Sequence, residues 1–145
     1  MNNFPVKLPL RIDWSEMDIF GHVNNVAYFK YIQASRVNYW EISGLQTLFG
    51  EMKFGPILLS TSCHFMKPLF YPGNIIIEAR IEFIKTTSFG IHHRILNDKN
   101  EIAAEAHDVV VTYDFNKNEK VPVSDSFRKA VEQIEGKKFE TIPAG

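Results

Sequence analysis

From Val26 to about Ile42 the chain runs without glycine or proline, and beyond Gly44 its apolar residues change from helical spacing to alternation. That switch constrains the fold most, because a helix repeats every 3.6 residues and a strand every two. Within the first stretch Tyr28, Tyr31, Ile32, Ser35, Tyr39 and Ile42 share one face. The spacing predicts one long helix, capped at its start by the side-chain oxygen of Asn24 or Asn25 and stopped by Gly44 in a left-handed turn. Phe29, Val37 and Trp40 lie off that face. A surface helix carries a polar back, so this one is expected to be covered on most sides.

The alternation that follows predicts strands at Ile57 to Met66, Ile75 to Lys85, Ser88 to Leu96 and Ile102 to Phe115, after a first strand at Lys7 to Ile12. Ile75, Ile77, Ala79, Ile81 and Phe83 alternate with Glu78, Arg80 and Glu82. Turns fall at Tyr71-Pro72-Gly73-Asn74, at Asn97 to Asn100 and at Asn116 to Asn118. A short helix, Asp125 to Ile134, begins with Ser124 or Asp125 as its cap. The expected class is α+β: a long helix against an antiparallel sheet of about five strands. Such a sheet leaves edges open, which a second copy of the chain would cover.

A chain of 145 residues, 45% of them hydrophobic, suits a single domain spanning 1–145, with 136–145 as a polar tail expected to be mobile. The lone Cys63 excludes an intrachain disulfide and suits a reducing compartment. A net charge of -1 with scattered basic residues argues against a general hold on nucleic acid. Residues 1–9 carry no signal-peptide core, and no apolar run approaches the roughly 20 residues of a membrane span. A soluble, cytoplasmic protein is expected. No P-loop, dinucleotide fingerprint or Gly-x-Ser-x-Gly elbow is present. His92 and His93 are neighbours on a strand and point to opposite faces, and no histidine pair has helical chelating spacing. Neither a metal site nor a cofactor is expected. Cys63 lacks a Cys–His signature and reads as a small buried hydrophobe.

Chemistry concentrates between the first strand and the helix. Asp18 stands on a turn-rich loop just before a helix start, where unpaired backbone N–H groups and the helix dipole polarise a carbonyl oxygen. A carboxylate beside a polarised carbonyl attacks it directly or activates water. Gly21 lacks a Cβ and permits close approach of a ligand or of backbone. Asp, Gly, His and Asn before a helix are also ordinary loop and capping residues, so the loop alone leaves both readings open.

The loop resembles the signature of the 4-hydroxybenzoyl-CoA thioesterase family of hot-dog proteins. Arg11, Glu16, Asp18, Gly21, His22, Val23, Asn24, Asn25 and Tyr28 fill its positions. Looser likeness runs through Pro56-Ile57, Tyr71-Pro72-Gly73, the hairpin at Lys85 and Ser88, and the strand ending at Asp114. Asn74 and Glu16 depart modestly from the usual residues. The resemblance implies a helix wrapped by an antiparallel sheet, a homodimer or homotetramer, and hydrolysis of acyl-CoA in a site between subunits. It assigns the catalytic carboxylate to Asp18, as nucleophile or as base for water, and polarisation to the N–H near Asn25. His22 is a candidate helper that orients the loop or the acyl carbonyl, and Tyr28 a candidate pocket wall. Ser60 and Thr61 interrupt an apolar strand and are candidates to face the site from the partner. Lys85 and Ser88, with the hydroxyls between them, are candidates to hold CoA phosphates. Two rivals share the fold: a hydratase or dehydratase of acyl thioesters, and a non-catalytic acyl-thioester binder.

Overall fold

The computed structural model describes residues 3–45 and 54–142, with side chains described to residue 140. The long helix α1 spans Asn25–Ser43. Asn24 is its cap: the side-chain oxygen accepts from the N–H of Ala27 at 2.9 Å. Gly44 closes it with φ of 74°, a conformation that costs glycine nothing. The strands are β1 (Val6–Arg11), β2 (Phe54–Phe65), β3 (Asn74–Lys85), β4 (Ser88–Leu96) and β5 (Ile102–Asp114), with the short β6 (Glu119–Lys120) and β7 (Thr141–Ile142). Another helix among the described residues, α2, runs Asp125–Glu135 and is capped by Ser124. Order across the sheet is β1-β3-β4-β5-β2, antiparallel throughout, with β6 on β5 and a parallel β7 on β3.

The expected α+β arrangement is the observed one, with boundaries moved by up to three residues. The tail is more tied down than its composition suggests. The N–H of Phe139 donates to Glu132, its carbonyl accepts from Arg128, and 141–142 pair with β3. Residues 143–145 lie outside the described residues.

Helix and sheet meet in two apolar clusters. One joins Ala27, Tyr28, Tyr31 and Ile32 to Ile75, Ile77, Ile95 and the alanines of β5. The other joins Tyr39 to Ile81, Ile84, Phe89, Ile91 and Phe127. Ala103, Ala104 and Ala106 are fully buried in the first cluster, and each fully buried Ile contributes about 1.5–3 kcal/mol. Between the clusters runs a buried polar layer. Ser35 Oγ meets His93 Nδ1 at 3.0 Å, and His93 Nε2 meets Asp108 Oδ2 at 2.8 Å. Arg36 donates to the same carboxylate oxygen at 2.8 Å.

One expectation fails within a single chain. The back of α1 is open, with Val26 at 70% exposure and Phe29 and Val37 also exposed, and Ile42, on the face with Tyr39, is itself 52% exposed in the last turn. Nor is β2 covered: Leu58 through Ser62 are exposed in succession, on both faces of the terminal strand.

Candidate functional site

The loop between β1 and α1 is a folded unit. A 3-10 turn over Trp14–Glu16 starts on Asp13, whose carboxylate accepts from Ser15 while Glu16 returns a bond to the Asp13 N–H at 2.9 Å. Glu16 is buried. Its carboxylate also accepts from Tyr31 Oη at 2.7 Å and Lys30 Nζ at 3.2 Å, and its carbonyl accepts from both nitrogens of Asn24. Burial alone would push the Glu16 carboxyl above its usual range, but these donors outweigh it and hold the carboxyl below that range. The same pair, with burial the larger cause, drives the Tyr31 phenol upward. Met17 and Val23 then bridge to make a miniature hairpin whose tip carries Asp18 to His22.

Within that hairpin the half-buried Asp18 Oδ1 accepts from the N–H groups of Phe20 at 2.9 Å and His22 at 3.0 Å. The Asp18 N–H donates to the His22 carbonyl at 2.7 Å. One carboxylate oxygen is therefore fixed by backbone, which orients the other. Gly21 adopts φ of 81°, and a Cβ there would meet nothing. The left-handed turn by itself calls for glycine here, and no backbone or side chain of the chain stands in the space of a Cβ.

Asp18, His22, Asn25 and Tyr28 come together around a cleft of about 410 Å³, completed by Val23, Phe65, Met66, Lys67 and Pro68. Asn25 opens α1, so its N–H and that of Val26 have no acceptor within the helix. Tyr28 is a buried wall, its hydroxyl donating to the Lys67 carbonyl at 3.1 Å and its ring edge-on to Phe65. The His22 ring packs edge-to-face against Phe70 at 5.2 Å. The cleft wall from Phe65 to Pro68 went unmarked in the sequence, because only the β2–β5 register carries the end of β2 to the helix start.

Ser60, Thr61, Lys85 and Ser88 stand elsewhere. Ser60 and Thr61 are mid-strand on β2, opposite Val109 and Asp108, several residues from the Phe65 end that borders the cleft. Lys85 and Ser88 flank the β3–β4 turn. The 12-residue β3 separates that turn from the Asn74 end beside the loop by about 36 Å at roughly 3.3 Å per residue. Ser88 is buried, and Lys85 lies over the Phe83 ring. Cys63 packs at the border of the first cluster, and burial pushes its thiol up to about 11. The in-line Ser35–His93–Asp108 arrangement has the composition of a nucleophilic triad, but all three residues are sealed under the helix and no substrate reaches them. No helix among the described residues is long and apolar enough to cross a membrane.

This fold recurs in solved thioesterases. A provisionally named thioesterase of Pseudomonas aeruginosa is 28% identical, with a TM-score of 0.75 over 86% of this chain and 96% of that one. A Thermus thermophilus thioesterase, solved with coenzyme A and zinc, superposes with a TM-score of 0.83 at 21% identity over 96% of this chain and 100% of that one. The DHNA-CoA thioesterase of Staphylococcus aureus gives 0.80 at 15% identity, over 94% and 97% of the two chains. Residues 12–131, from the end of β1 into α2, match the model of one family, and with its helix wrapped in an antiparallel sheet the chain belongs to the thioesterase-like superfamily and has the hot-dog fold.

Proposed function

We propose that this protein hydrolyses acyl-CoA thioesters to a free acid and coenzyme A, with Asp18 as the attacking carboxylate or the base for water. The observation that carries this reading is the placement of Asp18. Its carboxylate is anchored through one oxygen, and it shares a cleft with the open start of α1 in a chain of the thioesterase-like superfamily. The thioester carbonyl points its oxygen at the Asn25 N–H, where the helix dipole stabilises the charge that develops there. Asp18 takes a proton from water as the water oxygen bonds to the carbonyl carbon, or bonds to that carbon itself to give an anhydride that water then opens. The C–S bond breaks and the thiolate leaves, taking up a proton. His22 steadies the loop, Gly21 makes its turn, and Tyr28 walls the acyl pocket.

The active form is a homo-oligomer. The open edge of β2 and the uncovered back of α1 support that assembly, since both expose apolar side chains that a second copy would bury. Ser60 and Thr61 reach a site only from such a partner, and Lys85 approaches CoA phosphates only across it. The buried Ser88 is left to the fold.

The test is free-thiol release from short, long and aromatic acyl-CoAs. Asp18→Ala is expected to lower kcat by about 10²–10⁴-fold on the best substrate. Equal turnover by both proteins overturns the role of Asp18, and thiol release from none of the panel overturns the activity.

A further inference from the structure

The outer face of the sheet, turned away from α1, carries a cluster that the thioesterase reading does not use. Strand register sets His92 of β4 between Arg80 of β3 and His107 of β5, and Glu82 projects from the same face of β3. The carboxylate of Glu82 reaches both imidazoles: Oε2 lies 3.1 Å from His107 Nδ1 and Oε1 lies 3.9 Å from His92 Nδ1. One donor atom from each of the three residues falls within 4.8 Å of the others. We propose that Glu82, His92 and His107 hold a divalent transition metal of the zinc class, pinning three strands together.

Two imidazoles and a carboxylate form a borderline donor set suited to zinc, with a fourth position left for water. Zinc stands about 2.0–2.2 Å from such ligands, which sets tetrahedral donors about 3.3 Å apart, so the cluster must contract modestly. His107 can supply that movement, since its side chain is 49% exposed. Its ring now stacks on His92 at 4.4 Å and 13°, and a turn about its side chain directs the lone pair at the ion.

A second observation bears on the same site. The buried His92 is oriented by Glu105, which stands 2.9 Å from Nε2. A carboxylate on the far nitrogen fixes the tautomer that leaves Nδ1 as the ligating atom, and metal-bound histidines are held in this way. Arg80 opposes the ion. Its guanidinium donates to His92 Nδ1 at 3.0–3.3 Å, and an incoming metal displaces it from that atom while it stays over the Phe4 ring, 4.5 Å away. Glu82 and Glu105 offset the added charge.

The experiment titrates the full chain, stripped with chelator and desalted, first with Co²⁺ and then with Zn²⁺. One equivalent of Co²⁺ with the visible bands of a tetrahedral complex, displaced by Zn²⁺, is expected. Glu82→Gln and His107→Ala are expected to weaken binding by more than about tenfold, and Glu105→Gln by about 10–100-fold through the orientation of His92. Asp18→Ala should bind as the parent does, since Asp18 stands on the loop before α1 and offers no ligand to this cluster. His107 is too exposed for its truncation to unfold the sheet, and circular dichroism checks this. Absence of a one-to-one Co²⁺ complex, or undiminished binding by folded His107→Ala, overturns the site.

Discussion

Individual side chains decide how the loop is held. Glu16 is the keystone, a buried carboxylate whose charge is met by a phenol, an ammonium and a backbone N–H. A hydrogen bond to a charged group contributes about 1.5–3 kcal/mol, and leaving the charge short of a donor costs at least as much. Tyr31→Phe should therefore lower unfolding free energy by about 2 kcal/mol in urea titration. It should also lower kcat on acyl-CoA, because the hairpin bearing Asp18 hangs from the same residue. Lys30→Ala should cost about 0–1 kcal/mol, since the lysine side chain is largely in water. A Tyr31→Phe protein with parent stability would show that Glu16 does not anchor the loop.

Element by element, the packing explains residues that composition leaves obscure. Gly90 on β4 pairs with Phe83 at an irregularity of the β3–β4 ladder, and the Phe83 ring lies over the space a Cβ would take. Gly90→Ala is expected to lose about 1–3 kcal/mol by thermal denaturation, because ring or backbone must shift. Helix α2 is held at its end by Glu135, whose carboxylate accepts from Tyr39 Oη at 2.6 Å and the Ile81 N–H at 3.0 Å. Burial raises the Glu135 carboxyl above its ordinary value, and the two donors only partly offset it. A raised carboxyl binds its proton more tightly folded than unfolded, so its contribution is full below the unfolded value near 4.5 and is lost as pH rises through the folded one. Glu135→Gln keeps an acceptor without the charge. Its stability relative to the parent should rise with pH across that window and level off above it, as urea midpoints at several pH values will show.

At the scale of the whole molecule, one chain leaves apolar side chains open on its terminal strand and along its helix, and the proposed assembly would cover them. Leu59 is 61% exposed on the terminal strand, and Val26 and Val37 stand open on the helix back. Leu59→Arg should shift sedimentation toward monomer at micromolar concentration and lower thioester turnover with it. A Leu59→Arg protein that keeps the parent's assembly would move the contact elsewhere.

Much of this was legible in the order of residues. Helix α1, its stop at Gly44, the alternating strands and the loop bearing Asp18 all follow from local rules, because period, caps and turn residues act over a few positions. Asn24 over Asn25 as the cap, the left-handed reason for Gly21 and the open back of α1 were settled only when the chain closed on itself. The same holds for contacts across the sheet. His92 and His107 are 15 positions apart and share no helical spacing, yet antiparallel register sets them ring on ring, and it brings Phe65 to Pro68 against the start of the helix. Sequence alone determined the class of fold and the loop on which its chemistry is proposed to sit. Tertiary structure decided which distant residues share a face, because register and packing are set by the whole sheet and no local stretch contains them.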